Sequence, residues 1–122
     1  MPRNRSPIRL RHRPGVIQTP GRFVFQLPYG RPPITANQRT HWAVRAREVR
    51  TLRDATAVLA HGLAPIETAC TIGIVWHVPD RRRRDVDNIA PSLKPAIDGL
   101  RDAGLIPEDH SSIVTATWQR IE

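Results

Sequence analysis

One run of the chain leaves little structural freedom: "TACTIGIVWHVP", residues 68 to 79. Its β-branched and aromatic residues favour an extended backbone, and Pro79 cannot donate into a continuing ladder. Ile72, Ile74, Trp76 and Val78 share one face by the two-residue period of a strand. Cys70 reads as a small core-side residue and His77, facing away from Trp76, as a structural histidine. The strand ends at Pro79 and runs straight into Arg81, Arg82, Arg83, Arg84, Asp85 and Asp87. Both signs of charge therefore crowd the end of the strongest strand.

The other elements follow from periodicity. "RFVFQL", 22 to 27, alternates and reads as a strand, and the Pro- and Gly-rich stretch 28 to 40 reads as a loop. Residues 40 to 60 read as a helix with Thr40 as N-cap. Its core face is Trp42, Ala46, Val49, Leu52, Thr56 and Leu59, and Gly62 stops it. Residues 91 to 104 read as a second helix. Pro95 falls in its first turn, Ser92 is its N-cap, and Leu93, Ala96, Ile97, Leu100 and Ala103 form its buried stripe. A turn over 105 to 112 leads to a final strand, 113 to 121. The expected order is β-α-β-α-β, an α/β fold in which one mixed or parallel sheet carries packed helices.

A chain of 122 residues fits one domain with a modest core. Residues 1 to 20 hold five arginines and four prolines without an apolar period, so they read as a mobile basic arm preceding a domain over 21 to 122. The formal net charge of +8 favours a polyanionic partner, nucleic acid ahead of membrane. No run reaches the roughly 20 apolar residues of a membrane span, and the basic N-terminus lacks the apolar core of a secretory signal. A cytoplasmic protein is expected. Cys70 is the lone cysteine, which excludes an internal disulfide, and the five histidines show no zinc spacing with it. Lys94 stands out as the one lysine among nineteen basic residues.

Asp85 and Asp87 carry the most specific chemistry. If the segment stays extended, both carboxylates leave one face with Cα atoms about 6.5 Å apart. That arrangement suits Mg²⁺, which takes one or two carboxylates and completes its shell with water and phosphate oxygens. After the second helix the chain must turn back toward the sheet with Glu108 and Asp109, so Asp109 is expected as a third ligand. Such a triad fits phosphodiester hydrolysis. Lys94 supplies a point charge or a proton carrier, and Arg81 to Arg84 hold flanking phosphates. Asn37 and Arg39 at the end of the first loop, and Arg47 and Arg50 on one helix face, are further DNA-binding candidates. Ordinary turn chemistry for the first two and a solvated helix face for the last two are the simpler readings. Asp98 and Asp102 read as helix-surface charges pairing with Lys94 or Arg101.

The string "HVPDRRRRDVDNI" followed by "LKPAIDGLRDAGLIPEDHSSIV" closely resembles the RusA family of Holliday-junction resolvases. The likeness covers about residues 69 to 118 well and the preceding elements more loosely. It implies a homodimeric, Mg²⁺-dependent endodeoxyribonuclease, with Mn²⁺ able to substitute, that cuts four-way DNA junctions by paired symmetric nicks. It places catalytic carboxylates at Asp85, Asp87 and Asp109 and a catalytic lysine at Lys94, and it matches Asn88 to the asparagine after the acidic pair. It implies neither a small-molecule cofactor nor a membrane partner. Lys94 follows Asn88 by six residues with Pro91 between them, a longer interval than in the family, and Glu108 stands where an aspartate is familiar. Two other readings use the same residues: a non-catalytic basic DNA-binding module, and a metal nuclease acting on flaps or other branched DNA.

Overall fold

A computed structural model describes residues 14 to 107 and 111 to 122. Glu108, Asp109 and His110 lie outside the described residues, as does most of the expected basic arm. The described residues form a small α/β fold with two two-stranded sheets and two α-helices.

The described residues open with a hairpin: β1 (Gly15–Thr19) pairs antiparallel with β2 (Arg22–Gln26), matching Val16 to Phe25 and Gln18 to Phe23. This corrects the arm boundary, because residues 15 to 19 are strand. Pro20 and Gly21 make the turn, and Gly21 has φ of 77°, a left-handed conformation that glycine adopts without a Cβ penalty. Phe23 and Phe25 stack with centroids 6.0 Å apart and pack against the core.

Helix α1 (Trp42–Ala60) is capped by His41, whose Nδ1 accepts the Ala43 N–H at 3.1 Å, and not by Thr40. Leu52, Thr56 and Ala60 are its buried positions. Trp42 and Ala46, expected in the core, are exposed. The reason is length. Helix α2 (Leu93–Asp102) has 10 residues against 19 in α1, so it cannot cover the whole of the longer helix. The two meet closely at Gly99, where a Cβ would run into the Arg53 carbonyl oxygen and the Thr56 side chain.

Strand β3 (Cys70–Trp76) pairs in parallel with β4 (Val114–Ile121), with a register shift between Cys70 and Thr71. Between them run a 3₁₀ helix (Val86–Ser92) and then α2, so β3, helix and β4 form the expected parallel unit. The expected single sheet is corrected. β2 pairs with β1 and not with β3, because the unforeseen first strand supplies its partner. The core gathers Ala60, Leu93, Ile97, Leu100, Ile106 and Val114, with Ile72, Ile74 and the hairpin phenylalanines packed against it. Pro95 is buried in the first turn of α2, as its fixed φ and missing N–H require.

Candidate metal and nucleic-acid site

The arginine run is a folded turn. The Asp80 carboxylate accepts the Arg82 backbone N–H at 2.9 Å and the Arg84 guanidinium at 2.9 Å. These bonds, the backbone one foremost, hold the Asp80 carboxyl below the ordinary carboxylate range. Arg84 also donates to the carbonyl oxygens of Asp80 (3.2 Å) and Arg82 (3.0 Å) and lies over the Trp76 ring, 5.0 Å from its centroid. Its side chain is only 14% exposed. Trp76 is fixed in turn by its indole N–H, which donates to the Gly30 carbonyl oxygen at 3.1 Å. Arg84 thus braces the turn from inside, while Arg81, Arg82 and Arg83 are exposed.

Asp85 follows with an extended backbone (φ −87°, ψ 123°), and the 3₁₀ helix starts at the next residue. Asp87 sits in its first turn. The expectation that both aspartates share one extended face is corrected: the chain coils directly after Asp85, because Asn88 N–H turns back to the Asp85 carbonyl oxygen at 3.1 Å. Both carboxylates are exposed. Neither carboxylate forms a hydrogen bond or ion pair among the described residues, although four arginines precede them. Arg82 and Arg84 turn to Asp80 instead. Among the described residues no three His, Cys, Asp or Glu side chains are grouped closely enough to hold a metal. Asp109, the expected third ligand, lies outside them. Asp85 and Asp87 are two exposed carboxylates two residues apart, and carboxylate oxygen is the ligand type that Mg²⁺ takes.

The acidic segment is fastened to the loop before α1. Asn88 Oδ1 accepts the Asn37 N–H at 2.9 Å, and the Asn88 carbonyl accepts the Ala36 N–H at 2.8 Å. One turn on, the buried Ser92 hydroxyl accepts the Ile34 N–H at 3.0 Å and donates to the Ile34 carbonyl at 2.7 Å. Asn88 and Ser92 therefore act as two buttons, and Asn37 is held beside the acidic pair. Ser92 uses its hydroxyl in this contact and makes no side-chain cap bond to α2. Gln38 and Arg45 brace the same loop from the helix side, Arg45 reaching the Thr35 carbonyl at 3.4 Å. Arg39, Arg47 and Arg50 are exposed.

Lys94 stands in the first turn of α2, its side chain 64% exposed and its ammonium 3.0 Å from Asp98 Oδ1. Asp98 also has Arg101 at 3.7 Å and Arg53 at 3.9 Å. Arg53 crosses from α1 to make a two-pronged contact with Asp102, which holds that carboxyl below its ordinary range. The pairing of Asp98 with Lys94 and Arg101 is as their four- and three-residue helical spacings suggest. Arg53 was not foreseen, because its partners lie on a different helix.

Arg120 also escaped sequence reasoning. It stacks over Trp118, 4.9 Å from the ring centroid, and with Val78, Asp80, Arg81 and Arg82 it lines a groove between the arginine turn and the end of β4. The alternation of the last strand is the one signal that could have brought it forward. Trp118 itself lies over Gly73 of β3, where any Cβ would collide with the indole.

No family model and no solved structure matches the chain. It is similar to an uncharacterized protein of Xylella fastidiosa (strain Temecula1 / ATCC 700964), 32% identical over 83 residues. That match spans 63% of this chain and 54% of the relative, so the chain spans about half the length of the protein it matches.

Proposed function

We propose that the protein is a Mg²⁺-dependent, structure-selective endodeoxyribonuclease of the RusA kind, acting as a homodimer on four-way DNA junctions. The observation that carries this reading is the open acidic pair: among the described residues Asp85 and Asp87 have no hydrogen-bond or ion-pair partner, while Arg82 and Arg84 of the basic turn face Asp80. A merely solvated acidic turn would be expected to draw those neighbours in.

Asp85 and Asp87 would hold the cation, with Asp109 as the expected third ligand. When bound, Mg²⁺ would polarise the scissile phosphate and make an adjacent water nucleophilic. The remaining work belongs to the chain. Arg81, Arg82 and Arg83 hold flanking phosphates, and Arg84 fixes the turn that presents them. Asn88 and Ser92 fasten the loop that carries Asn37 and Arg39 to the acidic segment, and Arg47 and Arg50 extend the basic surface along α1. Lys94 offers positive charge or a proton near the leaving oxygen. In hydrolysis the water oxygen forms a new P–O bond, one sugar P–O bond breaks, and the departing oxygen takes up a proton. Two copies related by a two-fold axis match the two strands that a junction resolvase must nick.

The test is a cleavage assay on junction, flap and linear duplex DNA with Mg²⁺. Paired nicks in the junction are expected. Cleavage of flaps in preference to junctions moves the reading to another branched substrate. Salt-sensitive binding without any cleavage leaves a binding module.

A further inference from the structure

The proposed chemistry leaves one prominent side chain unexplained. Trp42, the first residue of α1, is 76% exposed. Tryptophan is highly buried on average, so a water-facing indole requires an explanation. Its described aromatic neighbour is the adjacent His41, with centroids 5.6 Å apart and planes tilted by 30°. The other large exposed apolar residues among those described, Ile17, Val24, Val58 and Val86, are aliphatic. Trp42 alone among them offers a flat π-face.

The stretch that carries it is basic, and the loop before it is braced. Arg39, Arg47 and Arg50 are exposed in the same stretch. The loop leading to it is held by Asn88 and Ser92 on one side and by Arg45 on the other. From Asn37, which is bonded to Asn88, Trp42 is at most roughly 18 Å away along the chain. At about 3.4 Å per stacked nucleotide, that reach is about five nucleotides from Asn37. An exposed indole in a stretch that carries exposed arginines is suited to single-stranded and splayed bases, since every base presents a π-face.

We propose that Trp42 is the base-stacking residue of this surface: it receives an unpaired base at the branch point and sets the preference for branched over linear DNA. This rests on the nuclease reading for its substrate. Its test does not need cleavage. Wild type, Trp42→Ala and Trp42→Phe are titrated in metal-free buffer against a four-way junction, a linear duplex and a single strand. 2-Aminopurine at the branch reports stacking, and sedimentation reports the oligomeric state. Trp42→Ala is expected to lose junction and single-strand affinity on the order of tenfold, with duplex affinity unchanged and the 2-aminopurine signal unquenched. Trp42→Phe keeps most of both. If Trp42→Ala binds the junction as tightly as wild type while wild type still cleaves it, the stacking role is overturned and the nuclease reading stands. If wild type cleaves nothing but Trp42 still governs single-strand binding and quenching, the nuclease reading falls and stacking stands. A dimer that dissociates on Trp42→Ala makes the indole a protein contact and overturns the proposal, as does a wild type that binds none of the three DNAs.

Discussion

Two acidic pairs with opposite fates lie in one stretch of chain. Asp98 and Asp102 on α2 are surrounded by cations: Lys94 and Arg101 from their own helix and Arg53 from α1. Asp85 and Asp87, next to the densest run of arginine in the sequence, have none among the described residues. Proximity in sequence therefore does not decide pairing; backbone direction does. Helical spacing stacks residues four apart, so Lys94 and Asp98 must meet. The 80–84 turn folds Arg84 back onto Asp80 and Trp76, and the backbone then enters the 3₁₀ helix, leaving the next two carboxylates open. One pair is used to join helices, and the other remains available to a cation from solution.

The largest expected effect breaks that contrast directly. Asp87→Asn keeps the shape of the side chain and removes its charge. Outer-shell partners of a metal are worth about 10- to 100-fold, so loss of a direct ligand should reduce junction cleavage by more than about 100-fold. DNA binding should be retained or improved, because a repelling charge has gone. Asp102→Asn, the same change in the paired cluster, should leave turnover near wild type. Single-turnover rates on a labelled junction separate the two variants, and equal losses in both would abolish the proposed distinction.

Next comes the support beneath the open pair. Ser92→Ala strips the buried Ile34 N–H and carbonyl of their shared partner. An unsatisfied buried group costs about 1–3 kcal/mol, so thermal or denaturant unfolding should register a loss in that range. The loop carrying Asn37 should loosen with it, which hydrogen exchange at Ala36 and Asn37 can follow. Ser92→Thr, which keeps the hydroxyl, tests whether the bond or the volume matters.

The arginines themselves sharpen the comparison more gently. Alanine at Arg81, Arg82 or Arg83 should leave the melting temperature unchanged and reduce the slope of log affinity against log salt by about 0.9 for each phosphate that is no longer neutralised. Arg84→Ala should do the reverse. It removes the cation over Trp76 and the brace on two carbonyl oxygens, so it should lower stability while moving the salt slope little. Four equal salt effects would show that Arg84 leaves its turn when DNA binds.

The sequence was readable wherever local rules and tertiary packing agree. Ile72, Ile74 and Trp76 marked β3, Pro95 marked the first turn of α2, and the parallel β3–helix–β4 unit followed from their order. It was misread where composition or tertiary reach intervened. The TPGR turn between β1 and β2 has proline and glycine in the order a tight turn favours, yet the surrounding arginines and prolines suggested an arm. Trp42 carries the helical spacing of a core residue but lies beyond what the shorter α2 can cover. At the site, the charges of Asp85 and Asp87 were legible, whereas the coil after Asp85 and the inward fold of Arg84 were not. Arg84 folds back onto Trp76 as well as onto Asp80, and the coiled segment is fastened through Asn88 and Ser92 to Asn37 and Ile34, distant contacts that no local pattern announces.

The smallest effect concerns acid. The Asp102 carboxyl is held below its ordinary range chiefly by its hydrogen bonds from Arg53, and Asp80 is lowered by the Arg82 backbone N–H and then by Arg84. A carboxyl with a lowered folded-state pKa binds fewer protons in the folded than in the unfolded protein. Its stabilisation is therefore complete above the unfolded value of about 3.9 and disappears as pH falls through the lower folded value. Both groups are solvent-exposed, so the contribution is small and screened by salt. Melting temperatures from roughly pH 5 down to 2 should decline less steeply in Asp102→Asn than in wild type, and about 1 M salt should narrow the gap. If the two curves run parallel at low salt, the Arg53–Asp102 pair does not hold the helices together in solution, and the contrast between a paired and an open acidic cluster loses its first member.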